Sequence, residues 1–276
     1  MLAWLAGAAT AQASEINPDD PRYLIGLEWA EVIVLGEVHD NPAHHELQSR
    51  IVRTLQPGAL VFEMLEPRHA AAARDIPRSY KDALAIAFEW EERGWPDFDL
   101  YYPIFAAAPK AEIFGAALPP DKVRRAVTEG AAAVFGGASS IFGLDQPLPE
   151  EQLAARVALQ DAAHCNAMPG EMLPGMVEAQ RLRDAALARA TLEAVEEMRR
   201  RDSFQRVVVI TGNGHARTDW GMPEMLARAY PEFGDDRLRL ATLAQFEVEA
   251  PEDPPYRHWV VTDAPERKDP CLAFAK

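Results

Sequence analysis

The chain has 276 residues and carries 43 Asp and Glu against 28 Lys and Arg, a formal net charge of −15. With 48% apolar residues it can bury a large core, which excludes a disordered chain. The acidic surplus argues against a nucleic-acid partner, because neutralising phosphates needs surplus Lys and Arg.

Residues 2–13 read LAWLAGAATAQA and end in Ala11-Gln12-Ala13 before Ser14. An apolar, uncharged run closed by small residues is the pattern of an export signal. It is too short to span a bilayer, and no transmembrane span is expected. Residues 1–13 are therefore expected to be a signal peptide and 14–276 a single domain, periplasmic or otherwise exported. No Cys follows the run to carry a lipid, so a lipoprotein is not expected.

The first strand is predicted at Val32–Leu35. A helix follows over Pro42–Leu55, with Asn41 as N-cap, Pro42 in the first turn and Leu47, Ile51 and Leu55 as its apolar stripe. Ala59–Phe62 is a second strand, Ser79–Arg93 a second helix stopped near Gly94 and Pro96, and Ile113–Ala116 a third strand. From about 122 to 201 no strand signal occurs. A Gly/Ala/Ser stretch, Gly130–Gly143, is followed by a helical pattern over Glu171–Arg201. This region is expected to form a helical cap or insertion, with ordinary crossover helices as the alternative. Further strands are predicted at Val207–Ile210, Leu238–Ala241 and Trp259–Val261. Alternating strands and helices with continuous apolar strands define an α/β class, a mostly parallel sheet flanked by helices. Two cysteines, Cys165 and Cys271, could pair in an oxidising compartment or stay as buried thiols.

Three polar clusters sit directly after apolar strands: Gly36-Glu37-Val38-His39-Asp40, Glu63-Met64, and Thr211-Gly212-Asn213-Gly214-His215. In an open parallel sheet the carboxyl ends of the strands line the ligand crevice. Glu37, His39, Glu63 and His215 are therefore expected to converge, with His44 and His45 close by in the first turn of the next helix. Imidazoles beside carboxylates suit a divalent metal such as Zn or Mn, held by His39, His215, Glu37 and Glu63, or acid–base work by the same four. Gly212 and Gly214 do not make a dinucleotide fingerprint, since Arg217 stands where Gly or Ala is needed.

At these residues the sequence resembles the ChaN family of bacterial haem-binding proteins. The resemblance rests on Gly36-Glu37-Val38-His39-Asp40-Asn41-Pro42-Ala43-His44-His45, on Phe62-Glu63-Met64, and on the twelve-residue stretch from Gly212 to Pro223. The helix segment Gln180-Arg181-Leu182-Arg183-Asp184-Ala185, the pair His164-Cys165 and the terminal Asp269-Pro270-Cys271 fit as well. The resemblance implies an exported protein that binds haem in iron uptake or storage, as a dimer with two stacked haems. It aligns Tyr101, in Asp97-Phe98-Asp99-Leu100-Tyr101-Tyr102-Pro103, with the family's iron ligand. His44 and His45 are candidate haem contacts, Asp40 and Asn213 candidate site-edge residues, and Arg183 and Asp184 either an ion pair at that edge or an ordinary surface pair. Where family members often carry an Asn after the third strand, this chain reads Ala116-Ala117-Leu118.

Haem needs an axial ligand, flat apolar walls and cations for its propionates. Phe88, Trp90, Trp95, Phe98, Tyr102 and Phe105 form an aromatic stripe around Tyr101 that is either such a wall or ordinary core. Lys81, Lys110, Lys122, Arg124 and Arg125 are the candidate propionate partners. The wider superfamily includes the Tiki metalloproteases and erythromycin-esterase-like hydrolases. A metal-dependent or His/Glu acid–base hydrolase using Glu37, His39, Glu63 and His215 is therefore the alternative function.

Overall fold

Val32, Ile33, Val34 and Leu35 are all fully buried, and so are Val208, Val209 and Ile210. Runs with no exposed face belong in the middle of a sheet covered on both sides. The computed structural model, which describes residues 13–201, 205–232, 238–269 and 271–272, places them there. Its strands are β1 (Ser14–Glu15), β2 (Val32–Glu37), β3 (Ala59–Phe62), β4 (Glu112–Gly115), β5 (Val207–Gly212), β6 (Leu240–Glu247) and β7 (His258–Thr262). They form one sheet in the order β1-β7-β6-β2-β5-β3-β4. All pairings in it are parallel.

The helices are α1 (Ile25–Glu28), α2 (Pro42–Leu55), α3 (Pro67–Ala72), α4 (Lys81–Ala87), α5 (Phe98–Ala107), α6 (Pro120–Glu129), α7 (Ala131–Phe135), α8 (Glu150–Ala163), α9 (Leu173–Arg199), α10 (Asn213–Ala216) and α11 (Met222–Ala229). Strand alternation divides the core into two. Val32, Val34, Val61 and Val209 face α9 through Leu182, Ala185 and Leu192. Ile33, Leu35, Phe62 and Ile210 face α2 and α5 through Leu47, Ile51, Tyr101 and Phe105. Each such apolar side chain contributes about 1.5–3 kcal/mol when removed from water. Within 122–201, α9 lies on the sheet as the crossover between β4 and β5, and α8 packs against α9.

Two local expectations shift. The helix over Ser79–Arg93 ends at Ala87; Glu89 takes φ +49, and Glu91–Arg93 form a 3₁₀ turn. Phe88 and Trp90 are both buried, yet residues two apart on a helix do not share a face. The break lets both turn inward, with Trp90 Nε1 donating to Pro96 O at 2.7 Å. Strand β6 starts two residues later than predicted and runs to Glu247, because Thr242 and Gln245 are polar residues buried in mid-sheet.

Cys165, just past α8, is bonded to Cys271, with Cα atoms 5.5 Å apart and a sequence separation of 106. The expected export signal, apart from Ala13, lies outside the described residues. Closing so long a loop restricts the unfolded chain, and such bonds typically contribute about 2–4 kcal/mol. Urea melts of a Cys165→Ser/Cys271→Ser double variant should show a loss of that size against the oxidised parent. An unchanged midpoint would mean the crosslink constrains nothing that unfolding releases.

Candidate functional site

The sheet register decides the site. Glu37 lies opposite Gly212, and Phe62 opposite Ile210. The turns after β2, β3 and β5 therefore leave the same edge side by side, and Glu37, His39, Glu63 and His215 come together there.

Glu63 sits at the centre. Its Oε2 accepts from Thr211 Oγ1 at 2.6 Å and from the Gly212 amide at 2.7 Å. Its Oε1 lies 3.3 Å from His215 Nε2. His215 Nδ1 donates to Asp184 Oδ1 at 2.6 Å, and Asp184 is wholly buried on α9. Burial opposes a charge on His215, but the carboxylates of Glu63 and Asp184 outweigh it and hold the imidazole protonated, up to about 10. Burial likewise works against ionising Glu63, yet the His215 charge and hydrogen bond keep it well below the usual carboxylate range. At Asp184 burial wins and pushes the carboxyl up, with His215 offsetting part of that rise.

Glu37 is a second node, with its side chain entirely buried. Tyr101 Oη donates to its Oε1 at 2.6 Å, His39 Nδ1 at 2.7 Å, and Gln48 Nε2 to its Oε2 at 2.8 Å. His45 Nε2 donates to the His39 carbonyl at 2.8 Å. With Nδ1 committed to Glu37, His39 Nε2 has no hydrogen-bond partner among the described residues, and the side chain is 34% exposed. Burial lowers its basicity, but the Glu37 hydrogen bond and the Glu63 charge outweigh that and raise it. A carboxylate behind an imidazole fixes its tautomer and makes the outer nitrogen a better donor to a metal. Gly212 keeps that nitrogen accessible: a Cβ there would stand 3.0 Å from His39 Nε2.

The remaining predicted residues take other places. His44 is fully buried, accepting from the Val38 amide at 2.9 Å and donating to Thr262 Oγ1 at 2.9 Å. Burial drives it down to about 4, so it is a neutral strut. His45 is equally buried. Tyr101 is fully buried, and burial followed by the Glu37 charge holds its hydroxyl far above the ordinary range. Asp40 pairs with Arg267 at 3.0 Å on the outer rim. Asn213 ties α10 to β6, donating to Gln245 O at 2.6 Å and accepting from its amide at 3.1 Å.

Beside Glu63 opens a crevice of ≈ 380 Å³. Trp95, Leu118, Val123 and Leu187 supply apolar wall, and Arg93, Arg124 and Arg183 supply positive charge. Trp95, which lines the crevice, meets the His39 ring edge-on at 5.0 Å between centroids; His39 stands behind it and is not itself a lining residue. Arg93 is anchored on Glu66 at 2.7 Å, whereas Arg124 and Arg183 are exposed and pair with no carboxylate among the described residues. Ala116 and Ala117 complete the wall. Of the five expected propionate partners only Arg124 lines this crevice. Lys81 pairs with Asp99, Arg125 with Glu129, and Lys110 lines another cavity. Most of the aromatic stripe is core around α5; Trp95 is the member that reaches the crevice. Gln48 and Arg93 carry no functional signal in the sequence; Arg93 has none beyond its place before Gly94. Among the described residues, no three His, Cys, Asp or Glu side chains are set to hold a metal ion.

A parallel α/β sheet with imidazoles and carboxylates at its strand ends defines a class, and comparison narrows it. Residues 25–226 match the family model described as haem-binding uptake, Tiki superfamily, ChaN. The chain belongs to this family of haem-binding proteins. Among solved structures it is similar to ChaN of Campylobacter jejuni with cofacial haem. The TM-score is 0.61 at 20% identity, over 86% of this chain and 89% of that one. It is also similar to the type III effector HopBA1, with TM-score 0.50 and 15% identity over 94% of this chain and 99% of that one. No curated protein sequence matches it.

The raised basicity of His215 has a consequence for stability. A folded-state value near 10 against an ordinary 6.5 means the charged ring stabilises the fold fully below about 6.5. That contribution fades as pH rises towards 10. The stability advantage of the parent over His215→Gln should therefore shrink steadily from pH 6.5 to 10 in urea melts. A gap that stays constant would mean the ring is neutral in the fold.

Proposed function

We propose that this chain binds haem in the crevice beside Glu63, with His39 Nε2 as the iron ligand. The observation that carries the reading is one oriented imidazole with a free nitrogen, beside an apolar slot flanked by three guanidiniums. The residues fit the group. Trp95, Leu118, Val123 and Leu187 offer apolar surface to a flat macrocycle. Arg124 and Arg183 are free to take propionates, and Arg93 adds charge without moving. Haem supplies an iron centre that accepts a nitrogen or oxygen donor and can change oxidation state. The chain's own work is to hold that donor. Glu37 accepts the hydrogen bond from His39 Nδ1, Tyr101 and Gln48 hold Glu37, and His45 fixes the backbone carbonyl of residue 39. Tyr101, the ligand the resemblance implies, would have to leave both Glu37 and the core to reach iron. Its place in this reading is to steady Glu37.

A role in haem or iron uptake or storage outside the cytoplasm follows as part of the proposal. The Cys165–Cys271 bond supports an oxidising compartment, where such crosslinks persist. The crevice is at the small end for a ligand of this size, which favours a second copy of the chain covering the exposed face.

Haemin titrated into the apo-protein should give a stoichiometric Soret shift. His39→Ala should abolish the ligand-dependent part of the spectrum, and Tyr101→Phe should keep it. Arg124→Ala/Arg183→Ala should weaken haemin by roughly tenfold, the loss of one or two charge-assisted contacts. A parent protein with no shift ends the proposal; a shift lost in Tyr101→Phe but kept in His39→Ala transfers the ligand role to the tyrosine.

A further inference from the structure

We infer that the chain has a second small-molecule site, for a carboxylate with a flat apolar body, between α8, α9 and the turn joining α10 to α11, with Arg156 as the group that reads the anion. The cavity there measures ≈ 350 Å³. Arg156, on α8, lines it and is only 6% exposed. Its Nη2 donates to Trp220 O at 3.0 Å, but Nε and Nη1 are buried with no hydrogen-bond partner among the described residues. The carboxylates whose charge acts most on it each hold another cation: Asp184 Oδ1 accepts from His215 Nδ1 at 2.6 Å, Asp219 from Arg217 Nε and Nη2 at 3.0 and 2.6 Å, and Glu224 from Arg228 Nη2 at 2.7 Å. Asp184 Oδ2 is a second buried atom left unpartnered among the described residues. A buried guanidinium with empty donors is costly, and a carboxylate is its natural complement.

The walls choose the rest of the ligand. Trp220 and Tyr256 present ring surface, and Leu159 and Val177 add aliphatic surface. Both rings are held in place: Arg217 stacks 3.8 Å from the Trp220 centroid, and Tyr256 Oη donates to Asn213 O at 2.9 Å. One guanidinium with unpaired donors matches a monoanion, since Arg217, the other one lining the cavity, is held by Asp219; a phosphate dianion would keep a charge uncompensated. The cavity is distinct from the crevice beside Glu63: the two share no lining residue, and His215 stands between Gln180 of the first, 3.1 Å from its Nδ1, and Glu63 of the second, 3.3 Å from its Nε2. The inference does not rest on haem binding, and either can fail alone.

Benzoate is the probe. Calorimetric titration into the parent protein, with tryptophan fluorescence as a second readout, should give a Kd on the order of 1 mM, as expected for so small a ligand. Arg156→Gln should weaken it roughly tenfold or more. Should that variant fold poorly, Leu159→Trp, at an exposed position on the rim, should block the cavity and abolish binding with the fold intact. Haemin affinity should be the same with and without saturating benzoate. Absence of binding at about 10 mM benzoate overturns the inference. So does binding that survives both substitutions. Displacement of haemin by benzoate also overturns it, since the carboxylate would then occupy the haem crevice.

Discussion

Two carboxylates and one imidazolium, Glu63, His215 and Asp184, lie together out of water at the end of the sheet. No member is tolerable there alone, because removing one partner leaves an uncompensated buried charge. The group therefore imposes conditions on everything around it. The β3–β5 register must bring Thr211 Oγ1 and the Gly212 amide onto Glu63. Helix α9 must be rotated so that Asp184 points inward. Its neighbour Arg183 then faces outward into the crevice. The short α10 must follow β5 at once, which gives the Gly212-Asn213-Gly214-His215 turn its close packing on the strand ends.

Two histidines in the same turn region acquire opposite characters from this arrangement. His215 has a carboxylate on each nitrogen, so it is a fixed positive charge with no lone pair to offer. His39 has a carboxylate on one nitrogen only, so it is an oriented base with its other nitrogen free. The difference comes from the environment, as when paired titratable groups are driven to different tasks.

The parts of this that could be read from sequence are those governed by chain direction. Parallel strands put their carboxyl ends at one edge, so the clusters after Val32–Leu35, Ala59–Phe62 and Val207–Ile210 had to meet whatever the loops did. Helix rotation is not readable in that way. Asp184 and Arg183 could be placed at the site edge, but only packing of α9 on the sheet decides which points inward. His44 and His45 follow the same rule: their position in the first turn of α2 was evident, while their burial as struts depends on Thr262 of β7 and on the His39 carbonyl. Arg93 was hidden by the break at Glu89, which a helical pattern over Ser79–Arg93 conceals.

The acidic surface raises a last physical question, since haem propionates and a small carboxylate are both anions and the chain carries −15. Net charge acts at long range, and at physiological salt the screening length is about 8 Å. A ligand inside the crevice is governed by what lies within that distance. There Arg93, Arg124 and Arg183 face Glu63, whose own charge is offset by His215. At Arg156 the balance is tighter, because Asp184, Asp219 and Glu224 are close and each is shared with another cation. The surplus of Asp and Glu keeps the surface acidic, while the arginines at these cavities set a different sign locally. Affinity for anions then comes from contact in the cavities, with no help from the overall field, and that demands well-formed pockets with fixed guanidiniums.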